Sequence, residues 1–232
     1  MSGSGAADML QEAFYRVCRY PCVAALSTLT GVRHFNVPDT GDPEGGMLLV
    51  SNHQSFLDPV LVGMSMPRPM DFLARRSLFR APGFRELIRA LGAHPLRRGR
   101  MDPAAMRSML RLLRGGRWVL VFPEGTRTRD GSLGRFRPGS AELASRARVP
   151  VLPVCIEGAD RAWPRHQALP RPARVAVAYG QPVWPGGLSG EQVMGRVVDQ
   201  IGVMRRFLRG YCLHGVRHHR PPARWQRTRS EE

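Results

Sequence analysis

The hydrophobic positions of the chain form short apolar runs separated by longer amphipathic stretches. Residues 47–51 and 118–122 are apolar runs of strand length, and each is followed at once by a turn rich in polar residues. Residues 174–179 form another strand candidate. Residues 149–156 are also strand-like, but their two prolines predict an irregular or peripheral strand. The first two runs therefore predict buried strands.

Helix signals lie between the apolar runs. The Asp-Pro pair at 58–59 combines a capping residue with a first-turn proline, which predicts that a helix begins there. The Asp-Pro pair at 102–103 repeats this signal, and the glycines at 115–116 end the second helix. A further helix is predicted at about 140–146. Strands and helices therefore alternate along the chain.

The last predicted helix has both a start signal and an apolar stripe. Ser189 and Gln192 form a capping box, and the helix that they open is predicted to end at about Phe207. Its apolar positions recur at helical spacing: Val193, Val197, Ile201 and Met204. Residues 210–232 are rich in Arg and His, and we predict that they form a flexible tail.

The alternation of strands and helices predicts an α/β fold, with a mostly parallel or mixed sheet flanked by helices. A chain of 232 residues favours a single domain, which we place at residues 35–209. Ligands of such sheets bind beyond the carboxyl ends of the strands. The polar turns after residues 51 and 122 both follow strand ends, so we expect them to share one edge.

Residues 1–34 are predicted to be an N-terminal helical segment. Within residues 8–31, apolar side chains recur at helical spacing beside Arg16 and Arg19. Two interpretations remain open, a helix lying in a membrane interface and an ordinary helix packed on the domain. No apolar stretch is long enough for a membrane-spanning helix, and no secretory signal is present. Together with four cysteines that form no Cys-x-x-Cys pair, this predicts a cytoplasmic protein.

The charge balance predicts an anionic partner. The chain has 35 Arg residues and no Lys, and with 18 acidic residues its formal net charge is +17. Such a charge favours association with nucleic acid, anionic lipid or phosphorylated substrates. The chain has no recognised nucleic-acid motif and no series of stacking aromatics, which disfavours nucleic acid.

His53 and Asp58 are candidates for acid–base chemistry. They can meet only if the chain turns between them, as a helix-start turn allows. A carboxylate on one imidazole nitrogen leaves the other nitrogen free to take a proton from a substrate hydroxyl. The alternative is that Asp58 serves only as a helix cap.

Residues 122–127, with the sequence FPEGTR, form a more specific pattern. Arg127 can bind a phosphate through its planar guanidinium, and Gly125 allows the backbone to come close. Glu124 can hold a substrate hydroxyl or tether Arg127. The alternative is an ion pair between Glu124 and Arg127 on the surface of a turn.

Asn-His-x-x-x-x-Asp at 52–58, followed by FPEGTR at 122–127, resembles the glycerolipid acyltransferase family, in particular the 1-acyl-sn-glycerol-3-phosphate acyltransferases. Residues 92–98 and 149–154 resemble two further blocks of that family, and the likeness spans roughly residues 45–185. Arg97 stands where many relatives have an acidic residue. The resemblance implies an acyltransferase domain at residues 35–209.

The resemblance also implies a site and a reaction. His53 is the general base and Asp58 orients it, while Arg98 and Arg127 bind the acceptor phosphate beside Glu124, Gly125 and Thr126. The donor is acyl-CoA or acyl carrier protein and the acceptor a lysophospholipid, with no metal and no bound cofactor. From the Arg-rich composition we also expect peripheral contact with the anionic cytoplasmic face of a membrane.

The sequence leaves several points open. The acceptor is 1-acyl-glycerol-3-phosphate or another lysolipid such as a lyso-aminolipid. The alternative from a different class is a non-catalytic protein that binds nucleic acid or anionic lipid. Backbone N–H groups at the start of the helix after Asp58 are a hypothesis for the groups that stabilise the oxyanion.

Overall fold

The computed structural model of the chain describes residues 17, 24, 26–38, 45–80, 82–96, 103–167 and 169–214. In these ranges it contains one seven-stranded sheet with the strand order β1-β7-β6-β2-β5-β3-β4. All neighbouring strands are parallel except β6 and β7, which are antiparallel. The strands are β1 (Arg33–Phe35), β2 (Met47–Ser51), β3 (Met70–Arg75), β4 (Ala93–Leu96), β5 (Trp118–Val121), β6 (Val151–Glu157) and β7 (Ala176–Tyr179).

Helices cover both faces of the sheet. Successive strand residues point to opposite sides, and in the buried strands both sets of side chains are apolar, so each face needs a covering layer. Leu48 and Val50 of β2 pack in one apolar cluster, and Met47 and Leu49 pack in the other. The helices that follow β1 are α1 (Asp58–Gly63), α2 (Phe84–Ala90), α3 (Pro103–Arg114), α4 (Gly139–Ala147), α5 (Ala159–Ala162) and α6 (Gly190–His214), with a 3-10 helix at Arg76–Arg80. The first cluster contains residues of α3, α4 and α6, and the second contains residues of α1 and α5. The predicted α/β fold with a mixed sheet is thereby confirmed.

Helix α6 confirms the predicted capping box and corrects the predicted end of the helix. The Ser189 N–H donates to Gln192 Oε1 at 2.8 Å, and the Gln192 N–H donates to Ser189 Oγ at 3.2 Å. The four predicted stripe residues are all buried. The helix continues past Phe207 to His214, because Leu208 and Cys212 extend the stripe into the core. The predicted tail therefore overlaps the helix at residues 210–214.

Strand β6 contradicts the prediction of an irregular or peripheral strand. It lies inside the sheet between β2 and β7, and all its residues are buried. The Val151 N–H donates to Val183 O at 2.9 Å, on the side away from β2. Because alternate residues point to the same side, the missing N–H of Pro153 also faces away from β2, and regular pairing with β7 begins only at Val154. Pro153 therefore costs no hydrogen bond between β2 and β6.

The predictions for the chain ends fall mainly outside the described ranges. This applies to most of the N-terminal segment 1–34 and to residues 215–232 of the tail. Within the segment, residues 26–30 are helical as predicted, whereas Arg33 and His34 belong to β1, so the helical prediction is wrong at its end. Among the described residues, no helix has the length and hydropathy needed to cross a bilayer.

Candidate active site

The two polar turns meet at one edge of the sheet. Strands β2 and β5 are parallel neighbours, so the turns that follow them leave the sheet side by side. The rings of His53 and Phe122 stack with centroids 4.1 Å apart. The Thr128 N–H donates to His53 O at 2.8 Å. The predicted common edge is therefore observed.

His53 and Asp58 form a hydrogen-bonded pair. The distance between His53 Nδ1 and Asp58 Oδ2 is 2.7 Å, and the Asp58 side chain is fully buried whereas 21% of the His53 side chain is exposed. The same carboxylate oxygen accepts the N–H groups of Gln54 at 2.6 Å and Ser55 at 2.9 Å. These bonds close the turn between the two side chains.

Asp58 does not act as a side-chain cap of α1. Helix α1 begins at Asp58 itself, and Leu57 occupies the N-cap position without a side-chain hydrogen bond. The carboxylate points back into the turn instead. With Nδ1–H donating to Asp58, Nε2 of His53 has no hydrogen-bond partner in the described part of the chain. That nitrogen is available to accept a proton from a bound hydroxyl.

Glu124 joins the second turn to His53. Its Oε1 accepts the backbone N–H of His53 at 2.9 Å, and its Oε2 accepts the N–H of Gly134 at 3.0 Å. Burial raises the pKa of the Glu124 carboxyl, and the two backbone hydrogen bonds lower it to a lesser extent. The side chain thus fixes the position of His53 relative to the loop at 122–138.

Arg127 is buried rather than exposed on a turn. Only 7% of the residue is accessible, which contradicts the alternative of a surface ion pair. Its guanidinium carbon lies 3.5 Å from the centroid of the Phe56 ring, a cation–π arrangement. Phe56 is 46% exposed, and its ring lies 5.9 Å from that of Trp163. Arg127, the residue predicted to bind a phosphate, therefore lies beside an exposed aromatic side chain at the rim of the site.

The remaining predicted residues differ in what the structure shows. Gly125 adopts a left-handed φ of 68°, which L side chains rarely tolerate; an added Cβ would meet Arg137 only at 3.9 Å. The glycine is thus required by the backbone conformation and not by crowding. Thr126 is exposed. Arg98 lies outside the described residues.

Asn52 is a site residue whose structural role the sequence did not indicate. It is buried, its Nδ2 donates to Ile156 O at 2.8 Å, and its Oδ1 accepts the Ile156 N–H at 2.8 Å. The side chain thus continues the pairing of β2 with β6 past the end of β2 and anchors the residue before His53. Phe56 and Trp163 were also missed, because single aromatics in turns form no repeating pattern.

The chain belongs to the acyltransferase family. The family model, described as Acyltransferase, matches residues 30–157, more than half of the chain. The matched region contains the His53–Asp58 pair and the 122–127 turn.

Individual relatives make the likeness more specific. Over 133 residues, 56% of this chain, it is 34% identical to the chloroplastic 1-acyl-sn-glycerol-3-phosphate acyltransferase BAT2 of Brassica napus, of which 37% is covered. Over 143 residues, 60% of this chain, it is 31% identical to the 1-acyl-sn-glycerol-3-phosphate acyltransferase of Pseudomonas aeruginosa, of which 54% is covered. The chain thus matches about a third to a half of the length of these two curated relatives.

A solved structure supports the fold over a longer stretch. The crystal structure of the 1-acyl-sn-glycerophosphate (LPA) acyltransferase PlsC from Thermotoga maritima superposes with a TM-score of 0.71 at 26% identity. It covers 86% of this chain and 83% of the Thermotoga maritima chain. The likeness therefore extends beyond the region matched by the family model.

Proposed function

We propose that the chain transfers a fatty acyl group from a thioester carrier to the free hydroxyl of 1-acyl-glycerol-3-phosphate, forming phosphatidic acid for phospholipid synthesis. The observation that carries this proposal is the His53–Asp58 pair, 2.7 Å apart, with Nε2 of His53 left available. Arg127, in the turn beside it, supplies a cation suited to the acceptor phosphate. The names of the relatives support the same acceptor.

In the proposed reaction, His53 Nε2 takes the proton of the acceptor hydroxyl as its oxygen attacks the thioester carbonyl carbon. The tetrahedral intermediate collapses by breaking the C–S bond, and the departing thiolate receives the proton from the imidazolium. Asp58 stabilises the imidazolium formed between these two proton transfers. The donor is acyl-CoA or acyl carrier protein.

The structure offers little support for an oxyanion site at the start of α1. Pro59 has no N–H group, and the Leu61 N–H donates to Leu57 O at 2.8 Å. The first turn after Asp58 therefore offers at most the N–H of Val60. The hypothesis made from the sequence is wrong for Pro59 and Leu61.

We also propose peripheral contact with the anionic cytoplasmic face of a membrane. β6 runs parallel to β2, so the segment that follows it leaves the sheet at the edge that carries His53. Arg165 and Arg174 of this segment are exposed, and Leu169 is 77% exposed. Exposed cations and an exposed apolar side chain in one segment suit an anionic bilayer, which contains the acceptor.

Vesicle co-sedimentation tests the membrane contact. The Arg165→Gln/Arg174→Gln double variant should bind phosphatidylglycerol-containing vesicles roughly 10- to 30-fold more weakly, since each surface cation contributes about 1 kcal/mol near an anionic leaflet. The matched control is Arg107→Gln/Arg111→Gln, which removes two exposed arginines from α3, on the other face of the sheet. An equal loss in both variants would attribute binding to net charge and not to this segment.

Release of free thiol tests the reaction itself. Acyl-CoA and acyl carrier protein donors are combined with lysophosphatidic acid, lyso-aminolipids and other lyso-acceptors. Acceptor-dependent release by the wild type should fall by about 10²–10⁴-fold in His53→Ala, at an unchanged unfolding temperature. No release with any pair, or equal release by the variant, would reject the proposal and favour the binding-protein alternatives.

A further inference from the structure

Glu157 is a buried carboxylate that has no part in the proposed chemistry. It ends β6 at the edge of the sheet that carries the site, and its side chain is 11% exposed. Burial raises the pKa of this carboxyl, and its bond to Arg205 lowers the pKa by less. A charge in such a place is costly unless it is paired and hydrogen-bonded. Its partners therefore show what it connects.

One partner belongs to the turn that carries the catalytic pair. Gln54 Nε2 donates to Glu157 Oε2 at 3.4 Å, and Gln54 Oε1 accepts the Ala159 N–H at 3.1 Å. The backbone N–H of the same glutamine donates to Asp58 Oδ2 at 2.6 Å. Gln54 thus links the end of β6 directly to the carboxylate that orients His53.

The other partner belongs to α6. Arg205 Nε donates to Glu157 Oε2 at 3.1 Å, and 14% of the Arg205 side chain is exposed. Its Nη2 donates to the carbonyl of Gly131, in the 122–138 loop that also carries Arg127. Arg209 lies farther away, with Nε 3.9 Å from Glu157 Oε1 and a mostly exposed side chain. Arg205 is therefore the cation that connects Glu157, at the end of β6, with the 122–138 loop.

We propose that Glu157 and Arg205 are positioning residues that hold the His53–Asp58 turn and the 122–138 loop at a fixed separation. This inference rests on the proposed function, in which His53 meets the acceptor hydroxyl while Arg127 binds the acceptor phosphate. Both groups belong to one small molecule, so a change in their separation prevents simultaneous contact. The ion pair acts through its neighbours and touches neither substrate.

The geometry requires an arginine at position 205. A guanidinium directs Nε toward Glu157 and Nη2 toward Gly131 from a single planar group, whereas an ammonium group provides a point charge on a flexible stem. Arg205→Lys therefore keeps the charge beside Glu157 and removes the two-way bridge. The matched control is Arg206→Lys, which makes the same exchange at the next, exposed position of α6.

Steady-state kinetics with a short-chain lysophosphatidic acid, below its micelle concentration, tests the inference. For Arg205→Lys, kcat/KM for the acceptor should fall roughly 10- to 100-fold. The reason is that a displacement of reacting groups by about 1 Å can lower the rate up to about 100-fold. The KM for the acceptor should rise while the KM for the donor stays at its wild-type value. Arg206→Lys should match the wild type in every parameter.

Two results would overturn the inference. Unchanged kinetics in Arg205→Lys would show that the bridge does not position the site. A lower kcat with an unchanged KM for the acceptor would also contradict it, because a changed separation of His53 and Arg127 must weaken binding of the acceptor. A wild type that transfers no acyl group to lysophosphatidic acid would instead reject the proposed function, so the two failures are distinguishable.

Glu157→Gln provides a second variant if Arg205→Lys fails to fold. It keeps the shape of the side chain and an oxygen that can accept from Arg205, and it removes the charge that binds the arginine. The KM for the acceptor should rise at least twofold, again without a change for the donor. An unchanged KM for the acceptor would contradict a positioning role of the ion pair.

Discussion

His53 can act as a base only if Asp58 holds one imidazole nitrogen and leaves the other available. In Asp58→Asn, the amide oxygen can still accept the backbone bonds of the turn, but the negative charge that stabilises the imidazolium is lost. We expect kcat to fall by roughly 10²–10⁴-fold with little change in the far-ultraviolet circular dichroism. Asp199→Asn, at an exposed position of α6, is the control and should keep the wild-type kcat. A kcat within twofold of the wild type in Asp58→Asn would exclude an orienting role.

Glu124 should make stability depend on pH. Because burial raises its pKa in the folded state above 4.5, its contribution is complete below that pH and is lost as the pH rises through the folded-state pKa. Glu124→Gln removes this loss, although its amide places one donor against a backbone N–H and lowers stability at every pH. The unfolding free energy of the variant relative to wild type, from urea titrations, should therefore increase between about pH 4 and pH 7. A difference that stays constant across this range would contradict the argument.

Individual residues were predictable where the chemistry was local. The contact between His53 and Asp58 was predicted as possible within one turn and is observed, whereas their catalytic roles stay a prediction. Glu157, by contrast, bonds to two residues that are distant in sequence. Gln54 lies 103 positions before it and Arg205 lies 48 positions after it. No local pattern marks such pairs, because they form only when distant segments pack together.

At the scale of secondary structure elements, Asn52 couples two strands beyond their regular pairing. Asn52→Ala would leave the buried N–H and C=O of Ile156 without these bonds. We expect the unfolding free energy to fall by about 2–4 kcal/mol, since each unsatisfied buried polar group costs about 1–3 kcal/mol. Gln167→Ala, at an exposed side chain, should change it by less than about 0.5 kcal/mol. Equal stability of the Asn52→Ala variant and the wild type would show that water replaces the lost bonds.

Elements with strong local signals were predicted well. Strand β2 and helix α3 have the expected bounds, because uninterrupted apolar runs and Asp-Pro start signals act over a few residues. Strands β1, β3 and β4 were missed since they are short or carry polar side chains. Asp71 of β3, for example, is buried because His94 at 2.8 Å and Arg117 at 2.8 Å pair with its two oxygens, and neither partner is its neighbour in sequence.

For the whole molecule, the formal charge of +17 should make activity on membranes sensitive to salt. Raising the ionic strength from 0.01 to 0.15 M shortens the Debye length from about 30 to about 8 Å. We expect kcat/KM for acceptor in anionic vesicles to fall at least fivefold, and kcat/KM for a soluble short-chain acceptor to fall less. The two acceptors are compared in the same thiol-release measurement. An equal fall in kcat/KM for both acceptors would show that salt acts on the active site and not on membrane association.

The sequence by itself determined the α/β class, the main strands and the two polar turns of the candidate site, because burial patterns and turn residues act over short stretches of chain. Only the tertiary structure decided that β2 and β5 are neighbours, which brings His53 beside the turn of Arg127. It also decided that β6 lies inside the sheet despite Pro153, and that Glu157 and Arg205 join the two halves of the site. Strand order and buried ion pairs arise from non-local packing, and a linear sequence of side chains does not display that packing.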